Sequence, residues 1–278
     1  MRLYRPLQPP KLQHEVLDSN YRYREYFPSK SLESYVACYW TIDFHAMDTN
    51  KLNRIIPDGC VDIIFDLRSP SYSKVAFVAG LMTKFEIINL SQNHFLFGIR
   101  FFLETVHYFL RNPVSSFIGN RVFLEDIWGN EAIFMVEEII AATETSEIIE
   151  KVELKLIKCL LLNEVNADGL LQKSMQYIYD HQGIISVGSL AEKLSYSERN
   201  IRRTFQKELG VSPKELISII RFQNLLQELN NSFPSRFTDI AVKYGYYDQS
   251  HLIKNFKCFY GMLPTQIFKT NQSDESGM

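Results

Sequence analysis

The chain has 278 residues, 46% of them hydrophobic and 22% charged, with a net charge of −2, an ordinary balance for a globular protein. No apolar run reaches the ~18 residues of a membrane span, and the opening MRLYRPLQPPKLQHEV holds no apolar leader segment, so a cytoplasmic protein without a membrane partner is expected. The four cysteines, Cys38, Cys60, Cys159 and Cys258, form no CxxC pair, which removes zinc and thioredoxin-type chemistry and leaves buried reduced thiols as the expectation.

Strands come first. Ser34–Phe44, Val61–Leu67, Val75–Gly80, Phe85–Leu90 and His94–Phe101 are short, rich in Val, Ile, Phe and Tyr, and separated by turn residues such as PDG, RSPS and SQN. That spacing predicts a β-barrel or sandwich. Within these strands Arg54, Asp58 and Arg100 are polar groups beside apolar runs. They form either surface ion pairs or the few oriented polar groups of an otherwise apolar ligand pocket.

The pattern then turns helical. Leu103–Pro113 reads as a helix stopped by its proline. Asn130–Thr143 and Ser146–Glu164 carry apolar residues at helical spacing, with Ile149, Val152, Leu156 and Leu160 on one face and Ser146 as a candidate cap. That face either packs on the β-rich domain or joins two copies in a homodimer. NADG (Asn166–Gly169) reads as a linker, and everything after it looks helical.

Two stretches near the C-terminus use nearly the same wording. Leu190-Ala191 matches Ile240-Ala241 at an offset of 50; Ile201, Phe205, Gly210 and Pro213 match Leu252, Phe256, Gly261 and Pro264 at an offset of 51. One residue has therefore entered the second copy at the turn between its halves. Each copy reads as helix, short turn, helix. Ser197 and Asp248 are suited to cap the second helices. Gly210 and Gly261 suit the left-handed position that follows a helix. SPKE (Ser212–Glu215) supplies a capping box with proline at the first helical position, starting a connecting helix from Pro213 to about Asn230. At ~1.5 Å per residue it is roughly 27 Å long.

Helix-turn-helix pairs place their second helix in the major groove, and two of them on one rod can enter successive grooves about 34 Å apart. With the inward residues set aside, the first such helix presents Glu198, Arg199, Asn200, Arg202, Arg203 and Gln206, and the second presents Gln249, Ser250, Ile253, Lys254 and Lys257. Arginine suits guanine edges, and Asn or Gln suits adenine. The second set carries less charge and is assigned more phosphate positioning. From Asp168 to Thr270 the chain holds 13 Lys and Arg against 9 Asp and Glu, so this third is basic while the remainder is acidic.

These residues resemble the DNA-binding domain of AraC-type (AraC/XylS family) transcription regulators. The likeness lies in LAEKLSYSERNIRRTF, in the connecting helix, and above all in DIAVKYGYYDQSHLIKNFKCFYGMLPTQIFK. Two departures are mild: Ser195 stands at the usual glycine of the first turn, and Leu263 where Ser or Thr is common before the proline. The resemblance implies a bipartite DNA site and contact with RNA polymerase. RIIPDGCVDIIFDL, FLFGIRF and NRVFLEDIWG resemble an uncharacterised β-rich N-terminal domain often joined to such regulators, with no assigned chemistry.

An enzyme has little support. His14, His45, His94, His107, His181 and His251 are scattered, with no His-x-His, no GxGxxG and no P-loop, and neither Cys38 nor Cys60 has the basic neighbours of an alkyl acceptor. No catalysis, cofactor or metal is expected. The reading is an α+β protein of two domains. Residues 1–165 form a β-barrel or sandwich-like domain with following helices that senses a small-molecule effector or partner, or dimerises. Residues 168–270 form an all-α tandem helix-turn-helix domain, and 271–278 a disordered tail. The competing reading is a non-catalytic module whose helical C-terminus binds protein in place of DNA.

Overall fold

The computed structural model describes residues 4–12, 20–46, 51–69, 74–90, 92–110, 112–119, 121–162, 169–231 and 236–268. The tail 271–278 and linker residues 166–168 lie outside them.

Among the described residues the N-terminal region is built on eight strands: β1 (Tyr21–Tyr26), β2 (Val36–Phe44), β3 (Lys51–Ile55), β4 (Cys60–Asp66), β5 (Ala76–Ala79), β6 (Glu86–Leu90), β7 (His94–Phe102) and β8 (Val122–Phe123). Six pair antiparallel in the order β1-β2-β7-β4-β5-β8, while β3 and β6 form a separate ribbon. The large sheet ends in two edges, so the architecture is sandwich-like and not a closed barrel. Period-two alternation divides its faces. Val61, Ile63 and Phe65 of β4 and Phe97, Ile99 and Phe101 of β7 are fully buried against the helices. The alternate residues, Asp62, Ile64, Leu96 and Arg100, face a cavity toward the ribbon.

The sequence reading missed β1, β3 and the two-residue β8. β1 is YRYREY, an edge strand that alternates half-buried Tyr with exposed Arg in place of an apolar run. The helix expected over Leu103–Pro113 shrinks to α2, His107–Leu110. Residues 103–106 are buried as a turn instead. There Thr105 Oγ1 donates to the carbonyls of Phe102 and Tyr35 (2.9 and 3.0 Å), a side-chain bond that competes with helical pairing.

A one-turn helix in the N-terminal arm, α1 (Pro9–Leu12), precedes the sheet; α3 (Leu124–Trp128), α4 (Asn130–Ile140) and α5 (Thr145–Leu162) follow it. The buried stripe of α5 is Ile148, Val152 and Leu156, packed into the core of the β-rich region. Ser146 lies inside this helix and not at its cap. Cys38 and Cys60 are buried as expected, Cys159 is half-buried, and Cys258 is exposed, because its position falls on the outer side of its helix.

The remainder is helical: α6 (Gly169–Asp180), α7 (Val187–Leu194), α8 (Glu198–Leu209), α9 (Pro213–Asn231), α10 (Phe237–Lys243), α11 (Gln249–Tyr260) and α12 (Pro264–Phe268). Both units close as the repeat predicts. Ile201, Phe205, Leu252 and Phe256 are fully buried, and Ala191 and Ala241 lie beneath the crossing helices. Each buried Phe contributes about 1.5–3 kcal/mol of burial. Ser197 accepts from the Asn200 amide (3.2 Å) and Asp248 from that of His251 (2.7 Å). Gly210 (φ 71°) and Gly261 (φ 81°) are left-handed. Ser212 and Glu215 form the reciprocal capping box, at 3.2 and 2.9 Å.

The inserted residue can now be placed. The Tyr196 amide donates to the Ala191 carbonyl (3.0 Å) and the Tyr246 amide to that of Ala241 (2.8 Å), so these two tyrosines are equivalent. The extra residue of the second copy is Tyr247, and it is 92% exposed.

The helical region does not hold a separate core. Leu170, Met175, Ile201, Phe205, Leu216 and Ile220 share one apolar cluster with the sheet. The opposite side of α9, with Phe222, Leu225 and Leu226, joins α10 and α11 in a second cluster, into which Leu12 of the arm and Ile56 also pack. Helix α9 is consequently buried nearly all round.

Ser195 closes α7 at φ 57°, a position that costs a non-glycine residue about 1 kcal/mol. Ser195→Gly is expected to raise stability by up to about that amount, read as a higher urea midpoint; a lower midpoint would contradict the strain.

Candidate nucleic-acid interface and ligand cavity

The outer face of α8 carries Arg199, Arg202, Arg203 and Gln206, all exposed, with Asn200 half-buried. In the free protein Arg202 pairs with Glu198 (2.7 Å) and Arg203 donates to Asn200 Oδ1 (2.7 Å), both within the helix. Exposed pairs of this kind are worth about 0–1 kcal/mol, so a stronger acceptor displaces them at small cost. Gln206 turns toward the helix end and donates to the Gly210 carbonyl (3.2 Å). On α11, Gln249, Ser250, Lys254 and Lys257 are exposed, whereas Ile253 is half-buried against the second apolar cluster. Tyr247, exposed immediately before the Asp248 cap, belongs to the same surface. The repeat offset flags its insertion, but nothing in its own type does.

Both helices are anchored by their C-terminal ends. Ser115, in the 3-10 turn Val114–Phe117, donates from Oγ to the Lys207 carbonyl near the end of α8 (2.8 Å). Arg54 on β3 donates from Nη1 to the carbonyl of Tyr260, the last residue of α11 (2.8 Å). Its guanidinium also lies over the rings of Phe85 and Tyr260, at 5.1 and 5.9 Å. A cation at this end complements the negative pole of the helix. A Cβ at Gly261 would overlap both Arg54 and Phe85, so the left-handed glycine serves the cap and the close approach together.

Residues 190–270 match the family model of a helix-turn-helix domain. The C-terminal domain is of the AraC type. Residues 24–123 match a domain of unknown function (DUF6597). The AraC-type domain is similar to an uncharacterized HTH-type transcriptional regulator of Haemophilus influenzae, 33% identical over 84 residues, 30% of this chain and 28% of that protein. It is also similar to the multiple antibiotic resistance protein MarA of Escherichia coli, 26% identical over 113 residues, 40% of this chain and 88% of that one. Among solved structures, the C-terminal domain of AraT, a response regulator from Geobacillus stearothermophilus, is 30% identical over 38% of this chain and 88% of its own, with a TM-score of 0.34. The chain thus spans under a third of the Haemophilus relative.

Beside the AraC-type domain, the two sheets line a half-open cavity of about 570 Å³. Arg54, Asp58 and Arg100, far apart in sequence, all line it. They are not surface ion pairs: Arg100 is 4% exposed and Asp58 9%. Arg100 Nε lies 3.1 Å from Asp58 Oδ2, and its Nη2 lies 3.1 Å from Asp62 Oδ2. Asp62 is the cross-strand partner of Arg100, and it also accepts from Trp40 Nε1 (2.9 Å). The sequence reading missed Asp62 and Trp40; the period-two placement of Asp62 on β4 was the available signal. The indole of Trp40 lies where a side chain at Gly98 would stand, which is why that strand position is glycine.

Burial alone would lower the pKa of Arg100, but Asp62 and Asp58 together hold it well above the usual value. Burial pushes the Asp62 carboxyl up from 3.8 to about 6, against the pull of Arg100. Folded Asp62 thus keeps its proton to higher pH than the unfolded chain does. Its contribution to stability is present below pH 3.8 and is lost as pH rises through about 6. Asp62→Asn should flatten the stability profile between pH 4 and 6, measured by urea melts; an unchanged slope would contradict the assignment. Arg54→Ala should lower stability by about 1–3 kcal/mol through loss of the charged bond to Tyr260, and should weaken DNA binding by loosening α11. Wild-type melts and affinity would sink the anchoring role.

Among the described residues no helix is long and apolar enough to cross a membrane, and no cluster of three metal-ligating side chains occurs.

Proposed function

We propose that this protein is a transcription regulator in which α8 and α11 read two adjacent stretches of one DNA site under control of the β-rich domain. The observation that carries this reading is the anchoring of both helices by their C-terminal ends, with the basic and amide side chains of their outer faces left in solvent. Arg199, Arg202 and Arg203 take guanine edges, and Asn200 and Gln206 take adenine or phosphate. Gln249, Ser250, Ile253, Lys254 and Lys257 chiefly position the second helix on the backbone. The site spans roughly 20 base pairs, two turns of the duplex.

Control comes from the cavity and its wall. A small molecule there acts only if it binds one arrangement of the readers better than another. Arg54 belongs both to the cavity lining and to the α11 anchor, which supports such a link. RNA polymerase is the proposed downstream partner and a homodimer the proposed assembly.

Selection of bound oligonucleotides from a random pool tests the reading, followed by titration across salt. Affinity is expected to fall steeply with salt, because each neutralised phosphate releases counterions. Absence of an enriched site, or a salt-insensitive interaction, favours the protein-binding module. Arg202→Ala or Arg203→Ala should relax base preference at one position by about 1–3 kcal/mol. Lys254→Ala should weaken all sequences alike and lessen the salt slope by about one.

A further inference from the structure

The floor of the cavity is nearly saturated with hydrogen bonds, and the exception selects a ligand. All four carboxylate oxygens are engaged. Asp58 Oδ1 accepts from the Cys60 amide (3.1 Å), and Oδ2 accepts from Gln8 Nε2 (2.8 Å) and lies 3.1 Å from Arg100 Nε as an ion pair. Asp62 Oδ1 accepts from Arg100 Nε (3.2 Å), and Oδ2 from Arg100 Nη2 (3.1 Å) and Trp40 Nε1 (2.9 Å). Arg100 Nη1 is buried and has no partner. An orphaned buried donor costs the desolvation of its N–H groups, so a site of this kind is built for an incoming acceptor.

We propose that the cavity binds an uncharged, flat molecule whose hydroxyl or carbonyl oxygen accepts from Arg100 Nη1 while its apolar body lies against Trp40. The inference rests on the sensing role proposed above and names the class of ligand.

Charge decides against the alternatives. One guanidinium between two carboxylates leaves the floor itself at −1, while Arg54, Lys84 and Arg121 face Asp66 and Glu86 in the wider lining, so an anionic head is repelled only where it is seated on the floor. A cationic head placed at Arg100 Nη1 meets a like charge and has no lone pair to accept from its N–H groups. A neutral oxygen meets neither obstacle. Shape follows from the walls. Trp40 is held flat over Gly98, and Ile42, Ile64 and Leu96 continue the same apolar surface. The volume of about 570 Å³ falls inside the roughly 300–1,000 Å³ range of small-molecule sites.

Three probes with one ring and different heads separate the classes: benzyl alcohol, benzoate and benzylamine. The full-length chain contains two tryptophans, so Trp128→Phe leaves Trp40 as the only indole reporter. Benzyl alcohol is expected to quench it saturably, at least tenfold more tightly than either charged probe. Thermal melting of the wild-type chain with each probe should give the same ranking without any substitution. Ile64→Phe, which fills the wall and leaves the ion cluster intact, should abolish the quench while the protein still melts cooperatively. Arg100→Lys keeps the charge, replaces the planar fork and its Nη1 with a shorter ammonium drawn to Asp58 and Asp62, and should erase the preference for the alcohol.

A preference for benzoate or benzylamine overturns the ligand class but leaves a sensing cavity. Saturable binding that survives Ile64→Phe places the probe elsewhere and overturns the site. No binding by any probe means that water alone serves Nη1, and the sensing reading falls with the proposal.

Discussion

A continuous chain of buried and half-buried hydrogen bonds and ion pairs ties the floor of the cavity to the helix that joins the two helix-turn-helix units. Gln223 of α9, fully buried, donates to the Pro57 carbonyl (2.7 Å) and bonds both backbone groups of Leu7. The next residue of the arm, Gln8, bonds the backbone of Ile56 and the carboxylate of Asp58. Asp58 holds Arg100, and Arg100 holds Asp62. Buried polar groups tolerate few arrangements, because a displaced member leaves its partners without bonds in an apolar surround. The arm, the sheet and α9 therefore keep one relative placement, or change it together.

That constraint explains why the helical region shares its core with the β-rich region. Helix α9 packs toward the sheet with Leu216, Ile217 and Ile220 and toward the second reader with Phe222, Leu225 and Leu226. Tyr4 stacks on Tyr179 (4.7 Å) and donates to the Asp58 carbonyl, so the arm closes the seam from outside. The two readers are then held at their C-terminal ends by Ser115 and Arg54. Such anchoring leaves the outer faces of α8 and α11 in solvent while fixing the direction in which they point.

Much of this was legible in the chain. The tandem helix-turn-helix units could be read because their constraints are local: a small residue under a crossing, an oxygen at each N-cap, a glycine past each helix end, and inward pairs four apart. Each of these acts within a few residues, and their recurrence at offsets of 50 and 51 made accident implausible. The β-rich region was read only as a class. Edge strand β1 hid behind alternating Tyr and Arg, and the expected helix at 103–113 was mostly replaced by a turn that Thr105 holds to a distant carbonyl.

The sequence by itself determined where the readers begin and end, which residues face inward, and that one residue had been inserted between the halves of the second copy. Tertiary structure decided that Arg54 reaches across to the last carbonyl of α11, that Asp62 and Arg100 meet by strand register, and that the Nη1 nitrogen of Arg100 is left without a hydrogen-bond partner. The physical reason is range. Helix caps and apolar periodicity are settled by neighbours along the chain, whereas the partners of a buried charge are chosen by which strands and helices come to lie side by side.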